Sequence, residues 1–476
     1  MEEIVIVFLP LPGVGHLIST IELAKCFLEK QQCFSITVPL MHPNIPSMKS
    51  TAAPIASYVQ SVSASNPRIR FVDLPLIDFP FDDVQNPAHF MSFIDMYKSN
   101  VKEAIKRIAS ASSSSSHPTR IAAFIIDFFS TTMIDVGKEL GIPTYIYFTS
   151  GAALLALMLY LPTLQAKVPC EFKDYQGEIE VPGMLPLPPA MMPSPLVDQK
   201  YNGAWFINHG KRFRETDGLI VNTFAGLELT TLKSIANGEC LPDHHPTPPV
   251  YPVGPLLALD NKSQEPQTTS QLMEWLNQQP HSSVVFLCFG SMGSFSIQQV
   301  KEMALGLERS GHHFLWSLRC RSSADTNLED ILPEGFLERT KGRGLVLQSW
   351  VPQVDILGHV AVGGFVSHCG WNSTLESIWF GVPMLAWPLY AEQKFNAFQL
   401  LRDIGLAVGL SMDNEKDGWV SAEEFEKGAR CLMGGSEKGQ KVRKKAKEMA
   451  EASKKAVAQG GSSFVTLELL AKKFML

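Results

Sequence analysis

Short apolar segments of strand length alternate with segments of helical periodicity along most of this chain. Ile4–Leu9 is a continuous run of β-branched and apolar residues, which is typical of a parallel strand buried on both faces. Leu17–Lys30 then carries apolar residues at helical spacing. This alternation favours an α/β fold built on a doubly wound parallel sheet. Further strands are predicted at Ser35–Val38, Ile69–Leu74, Ile121–Ile126, Thr144–Phe148 and Leu219–Asn222, and helices at Thr131–Leu140 and Leu154–Gln165.

A proline-rich segment interrupts the alternation. Leu241–Ser270 contains seven prolines, so neither a helix nor a strand is expected to persist through it. The alternation restarts with strands at Val284–Phe289 and Phe314–Leu318 and a helix at Ile297–Arg309. We therefore predict two Rossmann-like doubly wound parallel-sheet domains that face each other across a cleft, with ligands at the carboxyl ends of the strands. The predicted bounds are 1–245 for the N-terminal domain, 246–265 for the linker, 266–458 for the second domain and 459–476 for a C-terminal helix.

The composition argues against several classes of protein. The chain of 476 residues has a formal net charge of −6, which gives no reason to expect a nucleic-acid partner. Its eight cysteines contain no CxxC pair, so we expect reduced thiols and neither a disulfide nor a zinc framework. The longest apolar stretch, Ala152–Leu161, is half of what a membrane span needs, and the acidic N-terminus does not resemble a signal peptide. We expect a cytoplasmic monomer that does not contact a membrane.

The stretch from Trp350 to Gln393 has the pattern of an anion-binding site. A predicted strand, Val362–Val366, leads into the loop 367–371, and residues 372–374 open a helix that ends before Gly381. A helix N-terminus after such a loop offers unpaired N–H groups and the positive end of the helix dipole. The predicted ligand is a phosphorylated molecule that carries a ring, bound by the side chains of His368, Asn372 and Ser373 and by the aromatic faces of Trp350 and Trp371.

The same stretch resembles the signature box of the plant secondary-product UDP-dependent glycosyltransferases, glycosyltransferase family 1. The resemblance spans the whole box, including the core HCGWNSTLES, although Ser367 stands where threonine is common. Pro10–Lys25 also resembles the start of these proteins, so the likeness runs from end to end. It implies a two-domain fold of the GT-B type, with the last helix, Ser462–Phe474, crossing back onto the N-terminal domain. It also implies transfer of a sugar from a UDP-sugar to an acceptor.

Two residues at the carboxyl ends of predicted strands are candidates for catalysis. His16 lies at the start of the first helix, where the helix N-terminus disfavours the imidazolium and keeps a neutral base available near pH 7. Asp127 ends the segment IAAFIID and could orient His16 and stabilise the imidazolium formed in the reaction. The matching residues of the family form the catalytic dyad. The alternatives are a helix-capping histidine and an aspartate that caps the helix at Thr131.

The reaction implied by the resemblance is sugar transfer with inversion, in which His16 accepts the proton of an acceptor hydroxyl. UDP-glucose is the expected co-substrate, and no metal or other cofactor is expected. Asp82-Asp83 reads as part of a loop and not as a pair of Mg²⁺ ligands. The departing diphosphate needs preorganised hydrogen-bond donors. These are expected at the helix N-terminus and from the side chains of His368, Asn372, Ser373 and Ser291, the last in the loop GSMGS.

The uridine contacts are assigned by position from the resemblance. Trp350 matches the residue that stacks on uracil, Val351 matches a position that contacts the base through its backbone, and Gln353 lies near the uridine. Glu376 matches the residue that binds the ribose hydroxyls. Because Ser373-x-x-Glu376 is also a capping-box pattern, helix capping competes with ribose binding for Glu376.

Three residues match the positions that contact the sugar, namely Trp371, Glu392 and Gln393. A carboxylate and an amide together can bind several sugar hydroxyls and reject a mismatched epimer. In the family, a glutamine at the last position of the box favours UDP-glucose and a histidine favours UDP-galactose, so Gln393 predicts glucose. Core packing is the alternative role of Trp371.

The acceptor pocket is expected in the N-terminal half of the chain. Aromatic and methionine-rich segments there suit a flat or bulky apolar acceptor such as a flavonoid, another phenolic or a terpenoid, and they equally suit a core. These segments are Phe79–Phe93, Phe128–Phe129, Tyr147–Ala152 and Met184–Met192. The candidate acceptor-binding residues are Gly15, Phe128, Phe148, Met192, Tyr390 and Ala391.

Other functions fit the sequence less well. A Rossmann oxidoreductase should carry GxGxxG after a strand, whereas Gly13–Gly15 supplies only GxG, and no P-loop supports phosphoryl transfer from ATP. An inactive sugar-nucleotide binder should lack His16 or Asp127, and both are present. We predict an inverting transferase that moves glucose from UDP-glucose to a hydroxyl of a small lipophilic plant metabolite, most readily a phenolic or flavonoid.

Overall fold

A computed structural model describes residues 3–42, 49–78, 87–111, 119–197, 203–242, 245–259, 266–319, 327–412 and 418–476. Its contacts divide the chain into two compact units. The first unit contains Met1–Ala190, Pro195–Leu257 and Lys455–Leu476, and the second contains Met191–Ser194 and Ala258–Lys454. The change of unit after Leu257 falls within the segment predicted as a linker.

Each unit contains one parallel sheet. In the described part of the first unit the strands are β1 (Glu3–Leu9), β2 (Phe34–Leu40), β3 (Ile69–Asp73), β4 (Thr119–Asp127), β5 (Thr144–Phe148), β6 (Gly218–Val221) and β7 (Val250–Pro252), in the order β3-β2-β1-β4-β5-β6-β7. In the second unit they are β8 (Val284–Cys288), β9 (His313–Ser317), β10 (Gly344–Leu347), β11 (Val362–Ser367), β12 (Met384–Ala386) and β13 (Ala407–Gly409), in the order β10-β9-β8-β11-β12-β13.

Helices alternate with the strands along the chain. Those before the change of unit are α1 (Val14–Lys30), α2 (Lys49–Ser65), α3 (Pro87–Met96), α4 (Lys98–Ala111), α5 (Ile134–Leu140), α6 (Ala152–Lys167), α7 (Ser194–Val197), α8 (Gly203–Arg212) and α9 (Ala225–Ala236). Those after it are α10 (Pro266–Asn277), α11 (Ile297–Ser310), α12 (Leu328–Ile331), α13 (Phe336–Arg339), α14 (Gln353–Leu357), α15 (Trp371–Phe380), α16 (Gln393–Phe398), α17 (Ala422–Leu432), α18 (Glu437–Val457) and α19 (Ser462–Met475).

In both sheets the strand order reverses beside the first strand of the unit. β1 pairs with β2 on one side and with β4 on the other, and β8 pairs in the same way with β9 and β11. The connections therefore leave the two central strands in opposite directions, which opens a crevice at their carboxyl ends. The predicted doubly wound parallel-sheet fold is confirmed. Residues that follow β1 and β4, and residues that follow β8 and β11, are thereby placed at the crevices.

The last helix, α19, belongs to the core of the first unit. Leu467, Leu470 and Phe474 pack in one cluster with residues of α1 and of the strands. The Phe474 ring lies 5.2 Å from the ring of Phe27 and 5.1 Å from that of Tyr145. Rings in such tilted and edge-on arrangements stabilise the fold by more than the apolar area that they bury would predict.

The longest apolar stretch of the sequence forms the first part of α6. Residues from Ala152 to Leu161 are all buried, as expected of a helix that is apolar on every side. Across the part of the chain that the structure describes, no helix is long and apolar enough to cross a membrane.

The proline-rich segment contains one short strand and the start of one helix that the sequence did not predict, although neither element runs through it. β7 lies within it and pairs with β6, and α10 begins at Pro266. An edge strand needs hydrogen bonds on one side only, which is why Pro252 is tolerated there. A proline in the first turn of a helix loses no intrahelical hydrogen bond. The short strands β10, β12 and β13 were also not predicted, because three or four residues carry no clear periodicity.

The serine-rich run Ser110–Ser116 has low complexity, which predicts an exposed loop, but its start is helical. Ser110 lies in the last turn of α4, and the rest of the run, 112–116, lies outside the described residues. The cysteines of the described residues form no disulfide. Cys320 lies outside those residues.

The packing of α19 predicts that Phe474→Ala destabilises the first unit by about 3–5 kcal/mol, since it removes a buried ring that contacts two others. Urea denaturation followed by circular dichroism measures this loss. Leu469→Ala is the matched control, because Leu469 is on the same helix but 59% exposed, and it should change the stability little. Equal effects of the two substitutions would contradict the packing described here.

Candidate active site

The first cluster of functional side chains lies at the carboxyl ends of β1 and β4. His16 is in the first turn of α1, and Asp127 is the last residue of β4. The imidazole Nδ1 lies 2.7 Å from Asp127 Oδ2. The Asp127 side chain is fully buried, while 31% of the His16 side chain is exposed. The fold thus brings a solvent-accessible imidazole onto a buried carboxylate.

The second oxygen of Asp127 is held by the backbone. Oδ1 accepts a hydrogen bond of 3.0 Å from the N–H of Phe129. The short helical turn Thr131–Met133 has Ser130, not Asp127, at its N-cap position. Likewise Gly13, and not His16, occupies the N-cap position of α1. The alternative in which Asp127 serves as the N-cap of the Thr131 helix is therefore wrong. The carboxylate instead joins the His16 ring to the turn after β4.

A third residue beside His16 was missed by the sequence reasoning. Thr149 Oγ1 lies 3.3 Å from His16 Nδ1 and follows β5, the neighbour of β4 in the sheet. Inspecting the residue after each strand near the reversal point would have found it. The ring of Phe128 also stacks near the imidazole, with the ring centroids 6.1 Å apart.

The predicted acceptor residues differ in accessibility. Gly15 is exposed beside His16, and Phe128 is 5% exposed. Phe148 and Met192 have no exposed surface, so each occupies a core position. Tyr390 and Ala391 lie in the second unit and are half-buried. Of the predicted segment Phe79–Phe93, residues 79–86 lie outside the described part of the chain, as does Asp82-Asp83.

In the second unit the loop after β11 leads directly into α15. Cys369 in this loop has a positive φ of 63°, a conformation that is uncommon for residues other than glycine and is often found at functional sites. Its N–H donates to Ser367 Oγ at 3.2 Å, and its carbonyl accepts from Asn396 Nδ2 at 3.0 Å. Gly370 is the N-cap of α15 and supplies no side-chain cap. The first N–H groups of the helix are therefore not capped by the residue that precedes it.

His368 in the same loop is buried against two glycines. Burial lowers the pKa of its imidazole to about 4, so the ring is neutral near pH 7. A Cβ at Gly290 would lie 2.8 Å from His368 Nε2, and a Cβ at Gly370 would lie 2.4 Å from it. Nδ1 is buried and has no hydrogen-bond partner among the described residues. The ring can therefore approach the backbone of two loops that carry only glycine at these points.

Glu376 on α15 does not form the capping box that competed with its predicted role. The N-cap of the helix is Gly370 and not Ser373. Gln353 Nε2 instead donates to Glu376 Oε2 at 2.5 Å and to Ser373 Oγ at 2.9 Å. Burial raises the pKa of the Glu376 carboxyl to about 7, opposed in part by the hydrogen bond from Gln353. The half-buried carboxyl group is thus held beside α14.

Trp350 presents a large apolar face to solvent, with 61% of its surface exposed. The guanidinium of Arg319 lies 5.7 Å from its ring centroid and also donates to the carbonyl of Ser291. Arg319 was missed by the sequence reasoning, although its place two residues after β9 again marks the carboxyl edge of the sheet. The neighbouring Val351 and the more distant Trp371 are buried, at 4% and 5% exposure.

The box ends in a turn that Gln393 holds in place. Gln393 is 3% exposed, and its Oε1 accepts from the N–H groups of Leu389 at 2.9 Å and of Tyr390 at 3.0 Å. Ala391 has a positive φ of 53° in this turn. Glu392 occupies the N-cap position of α16. The amide of Gln393 therefore fixes the backbone from which Glu392 projects.

Within the described ranges, no group of three or more His, Cys, Asp or Glu side chains is arranged to hold a metal ion. The expectation that no metal is used stays a prediction.

Comparison with known proteins shows the family of this chain. The family model for UDP-glucoronosyl and UDP-glucosyl transferases matches residues 239–415. UDP-glycosyltransferase 71K2 of Pyrus communis is 43% identical over 483 residues, which cover 98% of this chain and 97% of that protein. UDP-glucose flavonoid 3-O-glucosyltransferase 6 of Fragaria ananassa is 44% identical over 485 residues, or 97% of each chain. The crystal structure of Medicago truncatula UGT71G1 complexed with UDP-glucose is 38% identical, covers 99% of this chain and 98% of that chain, and has a TM-score of 0.86.

The fold class and the relatives together define a glycosyltransferase of the GT-B type. This chain belongs to the plant UDP-glycosyltransferases, and it is an enzyme that transfers a sugar from a UDP-sugar to an acceptor. The predicted resemblance and the predicted fold class are both confirmed, and the oxidoreductase alternative is wrong.

The contact between Gly290 and His368 predicts that Gly290→Ala weakens UDP binding at least about tenfold, equivalent to about 1.4 kcal/mol. The new Cβ would displace the ring of His368, which is predicted to donate to the diphosphate of UDP. It would also sit at a φ of +73°. Isothermal titration calorimetry with UDP measures the effect.

Gly311→Ala is the matched control for this prediction. Gly311 has a nearly identical φ of +76°, but no atom lies within 4 Å of its added Cβ. It should cost similar stability and leave the UDP affinity unchanged. A Gly290→Ala variant that binds UDP as the control does would refute the close approach of His368.

Proposed function

We propose that the enzyme transfers glucose from UDP-glucose, with inversion, to a hydroxyl group of a small lipophilic plant metabolite, most readily a phenolic or flavonoid. The observation that carries this proposal is the distance of 2.7 Å between His16 Nδ1 and Asp127 Oδ2. Relatives named as flavonoid and anthocyanidin 3-O-glucosyltransferases support this acceptor class.

His16 is the general base. With Nδ1–H donated to Asp127, the basic lone pair of the imidazole is on Nε2. The acceptor hydroxyl gives its proton to Nε2 while its oxygen attacks the anomeric carbon of glucose. The bond from that carbon to UDP breaks on the opposite face, so UDP leaves and a β-glucoside forms. Asp127 stabilises the imidazolium and keeps the ring in the required tautomer. A phenol, with a pKa of about 10, needs only modest assistance.

The second unit binds the donor. Trp350 stacks on uracil, Val351 contacts the base through its backbone, and Glu376 accepts from the ribose hydroxyls. Gln353, which already donates to Glu376, orients that carboxylate towards the ribose. The exposed face of Trp350 and the absence of the capping box support these two roles.

The N-terminus of α15 binds the diphosphate. Its first N–H groups, beside a Gly370 that supplies no cap, are suited to the charge that develops as UDP departs. The imidazole of His368 is neutral near pH 7, so it contributes a hydrogen bond to the diphosphate but no positive charge. Ser291, Asn372 and Ser373 add hydroxyl and amide donors, while Trp371, Glu392 and Gln393 contact the sugar.

The acceptor binds beside His16. Gly15 and Phe128 adjoin the imidazole directly. The ring of Phe148 is buried and lies 4.5 Å from the ring of Phe128, so Phe148 shapes the pocket only through Phe128.

The proposed base predicts that His16→Ala lowers the rate of transfer by about 10²–10⁴-fold, while UDP binds with unchanged affinity. Asp127→Asn should also be slow, because an amide can stabilise the wrong tautomer of the ring. Rates are measured by mass spectrometry with UDP-glucose and a panel of phenols, flavonoids, triterpenoids and small acids. Retained turnover in His16→Ala would sink the base assignment.

The products of this assay separate inversion, donor choice and acceptor class. NMR of the product identifies a β-glucoside, which supports inversion. Competition between UDP-glucose and UDP-galactose tests the proposed role of Gln393. A terpenoid preference would replace the phenolic class. No product from any acceptor would support an inactive sugar-nucleotide binder.

The proposed ribose contact predicts that UDP binding near pH 7 releases protons. The pKa of Glu376 is about 7 before binding, and ribose hydroxyls that donate to the ionised carboxylate must lower it. About half a proton should therefore leave Glu376 at pH 7. Titration calorimetry in phosphate and in Tris measures the release. Glu376→Gln should lose this component and retain that of the UDP phosphate, whereas equal release from both proteins would refute the contact.

A further inference from the structure

One buried carboxylate in the first unit belongs to none of the roles above. Glu228 is 8% exposed and lies within α9. Its backbone is not helical there, with φ −133° and ψ 42°, so the helix is kinked at this residue. Irregular backbone inside a helix has a cost that must be offset by the contacts it permits.

The kink accompanies a contact between the Glu228 carboxylate and the start of α6. Oε2 accepts from the N–H of Ala152 at 2.8 Å, and Oε1 accepts from the N–H of Ala153 at 2.8 Å. The hydroxyl of Thr223 donates to Oε2 at 2.5 Å. The N-cap of α6 is Gly151, which has no side chain to perform this function. Glu228 therefore caps, from another helix, N–H groups that would otherwise be buried without partners.

The capped helix, α6, begins shortly after Thr149, which contacts His16. β5 ends at Phe148, Thr149 lies 3.3 Å from His16 Nδ1, and α6 starts at Ala152. The turn 149–151 is thus anchored by the β5 strand at one end and by Glu228 at the other. A displacement of this turn would move the Thr149 hydroxyl relative to the imidazole.

We infer that Glu228 is a positioning residue for the transfer reaction, acting through Thr149 on the orientation of His16. The inference rests on the proposed role of His16 as the base. Donor binding, which involves the second unit, does not depend on it.

The test compares Glu228→Gln with the wild-type enzyme. A glutamine keeps the shape, but its amide nitrogen cannot accept from a backbone N–H. We expect kcat to fall about 10- to 100-fold, as for a misplaced catalytic group, with KM for UDP-glucose and Kd for UDP unchanged. In a Thr149→Ala background the same substitution should change kcat less than about threefold, because the path to His16 is already broken.

Glu302→Gln is the matched control. Glu302 Oε2 accepts from the N–H of Ala422 at the start of α17, so it is also a carboxylate that caps another helix. This variant should lose stability and keep its kcat. If Glu228→Gln does not fold, Thr223→Val removes one donor only and should show a smaller fall in kcat that is also absent in the Thr149→Ala background.

Nitrogen-15 resonances of the His16 ring provide a measurement that does not need turnover. They are assigned by comparison with His16→Ala. They should move in Glu228→Gln. Adding Glu228→Gln to Thr149→Ala should not move them beyond their positions in the Thr149→Ala variant. Unchanged kcat and unchanged resonances in folded Glu228→Gln, or effects that multiply with those of Thr149→Ala, would overturn the inference. If the resonances move but His16→Ala remains active, the proposed base is wrong and the positioning contact stands.

Discussion

The reversal of strand order in each parallel sheet determines where functional side chains can lie. Beside β1 and beside β8 the chain leaves in opposite directions, so a crevice forms at the carboxyl ends of β1 and β4 and of β8 and β11. His16 follows β1 and Asp127 ends β4, and the loops that carry Ser291 and His368 follow β8 and β11. The same topological constraint thus places the proposed proton-transfer pair in one unit and the proposed anion site in the other.

Three helices at or beside the two candidate sites begin after a glycine. Gly13, Gly151 and Gly370 occupy the N-cap positions of α1, α6 and α15, and none of them supplies a side-chain cap. The first N–H groups of these helices therefore depend on other partners. At α6 the partner is Glu228, whereas at α15 the N–H groups are suited to a bound phosphate. In the proposed function, the partner is what separates the structural start of α6 from the phosphate-binding start of α15.

Three buried or half-buried carboxyl groups of the enzyme are oriented by backbone and amide donors. Asp127 is held by the Phe129 N–H, Glu228 by two N–H groups of α6, and Glu376 by Gln353. Such groups are costly to bury unless each oxygen has a partner, and the partner also fixes their direction. In the proposed roles of Asp127 and Glu376, orientation by fixed donors lets each carboxylate act on the histidine or the ribose without rearranging first.

The sequence by itself determined the parallel α/β fold, the family and the positions of His16, Asp127 and the box from Trp350 to Gln393, because these depend on local periodicity and on short motifs. It could not decide between the two roles of Glu376, since a capping box depends on where the helix begins, and the helix begins at Trp371. Thr149, Arg319 and Glu228 reach their partners only after distant strands and helices pack, over 133 residues in the case of Thr149 and His16. Contacts of that kind have no local signal, so only the tertiary structure decided them.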